Sequence, residues 1–190
     1  MGSVIIMNGP PNSGKDAAME HLVSPPRGEY NFLRRMFKEK LYSLTAAIYG
    51  IPLGLLIEVC TDRGHKDVPA DLLRGLSPRQ ALIKVSEEVI KPNYGNQYFG
   101  EYAASRISDG GNYVFSDGGF IGELTPVVRL VGKNNVLVVR IHRPDCTFEG
   151  DSRDYLPEGI AGHTEDVYNN GTLEAFYGEV DRVVNKFMEV

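Results

Sequence analysis

Two periodicities of apolar residues divide the chain into elements. Val4 to Met7 is an unbroken apolar run, the pattern of a short strand buried on both faces. Ala17 to Val23 reads as the start of a helix, and Ser24-Pro25-Pro26-Arg27-Gly28 breaks it. Asn31 to Phe37 predicts a second strand, interrupted by Arg34-Arg35. From Phe37 to Tyr49 the apolar positions are Phe37, Leu41, Leu44, Ala47 and Ile48, a helical spacing that stops at Gly50. Pro52 to Val59 predicts a further short helix, and the polar Thr61 to Pro69 a loop. Ser77-Pro78 places a cap residue before proline, so a helix is predicted from there to about Ile90, ending before Pro92. Asn96 to Ile107 predicts a helix rich in aromatics, and Asn112 to Asp117 a short strand ending on an acid. Gly122 to Leu130 reads as helix closed by Gly132, and Asn135 to His142 as the clearest later strand. Arg143 to Gly162 is charged and contains glycine and proline, the composition of a mobile loop. Thr172 to Met188 predicts an amphipathic helix capped by Thr172, with Leu173, Phe176, Val180, Val183, Val184 and Phe187 facing inward.

Strands that alternate with helices predict a mostly parallel sheet covered on both faces. In such folds ligands sit at the carboxyl ends of the strands. That edge would carry the loop Gly9–Asp16, Asp117 and the loop from Arg143. The 190 residues need no domain boundary, and segments 50–110 and 143–162 read as insertions over the edge, the second as a lid-like loop. Composition is that of an ordinary globular chain, 42% hydrophobic and 24% charged. No apolar run is long enough to span a bilayer, and the N-terminus lacks the basic region and cleavage site of a signal peptide. A net charge of −5 without a long basic block weighs against DNA as a main partner. Cys60 and Cys146 have neither metal-ligand spacing nor disulfide density, so both are expected as reduced thiols in a cytoplasmic protein.

The most specific chemistry lies at Gly9-Pro10-Pro11-Asn12-Ser13-Gly14-Lys15, two glycines flanking four residues and then lysine, between a strand and a helix. Gly9 and Gly14 permit backbone angles and close approaches that a side chain blocks. Successive N–H groups there, with the N-terminus of the following helix, form a concave anion site. Lys15 adds a point charge for terminal phosphates. Asp16 stands where Ser or Thr usually offers a hydroxyl to Mg²⁺; a carboxylate serves a hard cation directly or through water.

Other positions leave alternatives open. Asp117 can hold Mg²⁺ through water or contact a substrate, and it is equally a solvated turn acid before Gly118-Gly119. Arg79, on the first turn of its helix, has a donor fork suited to phosphate, though a lone arginine there reads more simply as a surface ion pair. Arg143 and Arg153 flank an acid-rich loop; they are solvated loop charges or cations that offset charge on a transferred phosphoryl group. Tyr98, Phe99 and Tyr102 share a helix and either stack on a base or pack in the core. The histidines show no nucleophile or metal pattern.

Taken together, several stretches resemble the bacteriophage deoxynucleoside monophosphate kinases. They are Asn8 to Asp16, including the Ser-Gly-Lys-Asp that this family also uses; Leu44 to Pro52; His65-Lys66-Asp67; Ser77-Pro78-Arg79-Gln80-Ala81-Leu82; Tyr98-Phe99; Val114 to Asp117 with Glu123; Arg143-Pro144; His163-Thr164-Glu165; and Asn169 to Glu174. The resemblance implies a P-loop NTPase fold, a three-layer α/β/α sandwich with about five mostly parallel strands and helical insertions. It also implies transfer of the ATP γ-phosphoryl group to a nucleoside monophosphate. Gly9, Asn12, Ser13, Gly14, Lys15 and Asp16 would bind ATP, and Asp16 and Asp117 would bind Mg²⁺. Lys66, Arg79, Ser86, Phe99 and Asp117 would bind the acceptor, with Lys15, Arg143 and Arg153 acting in catalysis. Three departures fall on the acceptor side: Gly119 where the family carries arginine, Ser86-Glu87 where it carries Gly-Thr, and Tyr42 where it carries a basic residue. Two other readings remain: a P-loop kinase with another acceptor, such as a modified nucleoside or a hydroxymethylated base in DNA, and a non-catalytic nucleotide-binding regulator. A homodimer stays open. A phage-encoded protein of this kind would act in the host cytoplasm.

Overall fold

A computed structural model describes residues 2–24, 30–62 and 64–189. The predicted break at Ser24–Gly28 lies, beyond Ser24 itself, outside the described residues. Five strands form one sheet in the order β2-β3-β1-β4-β5. They are β1 (Val4–Asn8), β2 (Leu33–Arg35), β3 (Tyr113–Phe115), β4 (Val136–His142) and β5 (His163–Tyr168), and every pairing is parallel.

The central strand explains the two covering layers. Ile5 and Met7 point into one core with α1 (Lys15–Val23) and α8 (Leu173–Met188). Val4 and Ile6 point into the other, against α6 (Tyr98–Ser105) and α7 (Ile121–Val131). Because both faces are covered, all five β1 residues are buried, which is why the strand reads as a continuous apolar run.

Between β2 and β3 the chain builds a helical insertion over the carboxyl edge. It begins with α2 (Glu39–Tyr49), ended by Gly50 in the left-handed region at φ 68°, and α3 (Leu53–Thr61). Tyr42, Ala46, Leu56, Leu73 and Ala81 form a small core of its own. The helix from Ser77 starts as predicted, with a reciprocal capping box between Ser77 and Gln80. It does not stop before Pro92. After α4 (Pro78–Ile83) a π-helical stretch, Lys84–Ile90, widens the turn, and α5 (Lys91–Tyr94) carries the axis past the proline. The Lys91 N–H bonds Ser86 O, five residues back, so the wider turn carries the backbone into Pro92 without an ordinary α-helical ladder.

One strand goes unmarked in the sequence, and one expectation is corrected. His163 to Tyr168 is a strand although no strand pattern marks it; of its residues only Val167 is buried, because β5 is an edge strand paired to β4 alone. Leu173, expected inward, is 58% exposed at the first turn of α8; Phe176, Val180, Val183, Val184 and Phe187 are buried as predicted. The segment between β4 and β5 is without regular helix or strand. It is tied down by Asn8, the last residue of β1, whose Nδ2 donates to Asp154 O (3.1 Å) and Gly118 O (3.1 Å) while its Oδ1 accepts from Leu156 N (2.8 Å).

Candidate active site

The loop from Gly9 to Gly14 is a backbone cradle. Asn12 and Gly14 take positive φ, 65° and 113°, which turns the chain back toward α1. A Cβ at Gly9 would stand 2.6 Å from the Ile141 carbonyl oxygen, so the end of β4 requires glycine there. Asn169, just past β5, clamps the loop through Nδ2 to Ser13 O at 2.8 Å. No side chain caps the N-terminus of α1, so its first N–H groups keep the donors that suit an anion. Ser13 Oγ is buried without a hydrogen-bond partner among the described residues. These features fit the phosphates of ATP.

Lys15 Nζ donates to Gly9 O (2.7 Å) and Pro10 O (2.6 Å). Burial, helped by the nearby Arg153 charge, lowers its ammonium from 10.5 to about 8 against the pull of Asp16 and Asp151. The ammonium is held in place chiefly by neutral carbonyls, which an incoming anion would complement far better.

A cavity of about 510 Å³ opens from this loop. Lys15, Lys38, Lys66, Arg79, Arg143 and Arg153 line it, against the carboxylates of Asp16 and Asp117. The fold therefore brings together residues from the loop, the helical insertion and the β4–β5 segment. Arg143 Nη1 donates to Asn12 O at 3.0 Å, joining that segment to the loop. Arg79 Nε donates to Asp67 Oδ1 at 2.6 Å, so it is an ion-paired arginine that also faces the cavity. Arg153 is gripped at Nε and Nη2 by the two oxygens of Asp151 (2.9 and 2.6 Å), which lowers Asp151 to about 2. Its stem lies across Gly119: a Cβ there would be 2.6 Å from Arg153 Cδ and 2.7 Å from Cγ.

Asp117 is neither a solvated turn acid nor free. Its oxygens accept from Phe37 N (3.0 Å) and Lys38 N (3.1 Å), and it ties the end of β3 to the start of the insertion. Lys38, not singled out from the sequence, lines the cavity beside it. Burial pulls the Lys38 ammonium down, but Asp117 and Tyr42 outweigh it and leave it above the ordinary lysine value. For Mg²⁺ the fitting group is Asp16, an exposed carboxylate on the cavity wall with no hydrogen bond among the described residues. Asp117 could contribute through water. One or two carboxylates completed by phosphate and water is a usual donor set for this ion, and no denser cluster of ligands occurs among the described residues.

A smaller slot of about 170 Å³ continues from the cavity and shares Lys38, Leu82, Asp117 and Arg153 with it. Phe99 and Phe120 give it aromatic walls. Of the three aromatics noted on α6, only Phe99 enters; Tyr98 packs on Tyr94 and Tyr102 lies under Lys40. Ser86 lines the slot and donates through Oγ to Glu87 at 2.9 Å. Glu123 also lines it; the sequence marked this residue only as part of the family-like stretch after Asp117 and gave it no role.

No helix among the described residues is long and apolar enough to cross a membrane. No family model matches the chain, and no curated protein matches it. Among solved structures it is similar to a gluconokinase from Sinorhizobium meliloti 1021. That likeness has a TM-score of 0.48 and 12% identity over 99% of this chain and 94% of the other.

Proposed function

We propose that the protein transfers the γ-phosphoryl group of ATP to a nucleoside or deoxynucleoside monophosphate. One observation carries this reading. The phosphate loop faces a second cationic wall, Lys66 and Arg79, across one cavity, and an aromatic-walled slot opens beside it. A γ-phosphate at the loop and an acceptor phosphate at the second wall would meet between them. An oxygen of the acceptor phosphate attacks the γ-phosphorus, the bond to the β–γ bridging oxygen breaks, and ADP leaves. The acceptor then carries a diphosphate.

This chemistry needs positioning and charge stabilisation rather than a side-chain nucleophile. Lys15 and the loop N–H groups hold the β- and γ-phosphates. Arg143 and Arg153 offset charge on the group in transit. Asp117 fixes Lys38 and the start of the insertion, and so the distance between the two walls. Mg²⁺ bound with ATP would neutralise charge on the phosphates, held near Asp16. The absence of an arginine at position 119 does not argue for a dead site, because Arg153 occupies the space over Gly119.

The test is ADP release measured over all common dNMPs and NMPs, with Lys15→Ala as control. Turnover with at least one monophosphate, reduced about a hundredfold or more in the variant, is the expected result. ATP binding without turnover on any monophosphate would refute the reading. Transfer to hydroxymethylated DNA alone would point to the other acceptor class.

A further inference from the structure

The slot contains one polar atom that its surroundings do not explain. Glu87 Oε1 accepts from Ser86 Oγ (2.9 Å) and from Lys91 Nζ (2.6 Å), so those three groups satisfy one another. Asp117 is used by the Phe37 and Lys38 N–H groups, and Arg153 by Asp151. Glu123 Oε2 is sealed from solvent and has no hydrogen-bond partner among the described residues. An orphaned carboxyl oxygen in a desolvated place is costly unless something else completes it.

The residue has a structural job as well. It is the third residue of α7, where a glutamate reaches back toward the N-cap N–H, here that of Phe120. Oε2 is left without a partner on a residue that lines the slot. Burial, with Asp117 nearby, pushes the Glu123 carboxyl up to about 8 despite Lys91, Arg153 and the Phe120 N–H. At neutral pH the group is then a neutral acid, able to donate an O–H and to accept at a lone pair.

The walls select what can meet it. Phe99 and Phe120 are flat, and Leu41, Leu82 and Ile83 are aliphatic, a lining for a planar ring rather than for a polyol chain. We propose that the slot seats the heterocyclic base of the acceptor and that Glu123 Oε2 hydrogen-bonds its polar edge, making Glu123 the residue that ranks one base above another. This rests on the nucleotide reading above. A site built to hydrogen-bond a polar edge discriminates strongly, because the wrong partner leaves a buried group unpaired.

The experiment compares kcat/KM for dAMP, dCMP, dGMP and dTMP in the wild type, Glu123→Gln and Glu123→Met. Folding is checked by thermal melting and by binding of an ATP analogue. Glutamine keeps a donor at the Oε2 position and loses its lone pair. It should therefore retain bases that present an acceptor there and lose those that present a donor. The ratio between best and worst base should shift by about tenfold or more, with KM for ATP within about twofold of wild type. Methionine should flatten the ranking. If both variants slow every base equally and leave the ranking intact, Glu123 is only a helix cap and the inference falls, while the kinase reading stands. If the wild type turns over none of the monophosphates, the kinase reading fails and the base pocket with it.

Discussion

Lys15 is where function and stability pull apart most clearly, and the conflict is measurable without knowing the acceptor. In the folded chain its ammonium is lowered from 10.5 to about 8, first by burial and then by the Arg153 charge. The folded protein therefore releases this proton before the unfolded chain does. Between about pH 8 and 10.5 the unfolded state binds more protons, so this residue's contribution to stability rises with pH across that window. Below pH 8 the full cost of holding the charge is present. At about 1.4 kcal/mol per pH unit, the interval amounts to about 3 kcal/mol, of which about 2 is recovered by about pH 9.5. Lys15→Met keeps the stem and removes the charge. The stability difference between the two proteins should shift by about 3 kcal/mol in favour of the wild type as pH rises from 7 past 10.5. Urea denaturation of both proteins from pH 7 to 11 tests this, since other titrating groups largely cancel in the difference. An ATP analogue should remove the wild-type slope, because phosphate beside the ammonium restores its charged form. A difference between the two proteins that stays flat from pH 7 to 10.5 would refute the reasoning.

Gly119→Ala places a methyl group 2.6 Å from Arg153 Cδ, so the stem and the Asp151–Arg153 segment must move. Steady-state kinetics should give at least a tenfold loss in kcat, and denaturation a cost of about 1–3 kcal/mol. Asp117→Asn replaces one of the two oxygens that accept from Phe37 N and Lys38 N with an NH₂ group. A loss of about 1–3 kcal/mol in chemical denaturation is expected. Thr172→Ala removes the cap oxygen that accepts from Ala175 N and should lower stability by about 1 kcal/mol, read from the urea midpoint, without altering turnover.

Much of the site was legible because its signals are local. The phosphate loop is spelled by residues within one turn of chain, and the structure gives it the positive φ at Gly14 that the pattern calls for. Ser77 and Thr172 announce their helices by cap chemistry acting over three residues. Lys38 was not legible at all, and Asn8 and Glu123 were marked only as members of family-like stretches, without a role. Each matters through partners far along the chain: Asn8 through Leu156, Lys38 through Asp117, and Glu123 through a slot walled by the insertion. Asn8 did leave a trace, as the polar residue that closes an apolar run.

The sequence by itself determined the α/β class, the strand–glycine loop–lysine–helix unit and most of the inward face of α8, since these depend on short local spacings and on periodicities of two or 3.6 residues. Tertiary structure alone decided the strand order, the polar edge strand β5 and the helix running through Pro92. It also decided which loop's arginine lies over Gly119. Those outcomes depend on register and packing between segments distant in sequence, where the local pattern of β5 or of the turn before Pro92 favours nothing in particular. Asp117 shows the difference within one residue. Its position after a strand was readable, but its task, joining the sheet to the insertion that forms the second wall, exists only once Phe37 and Lys38 are folded against it.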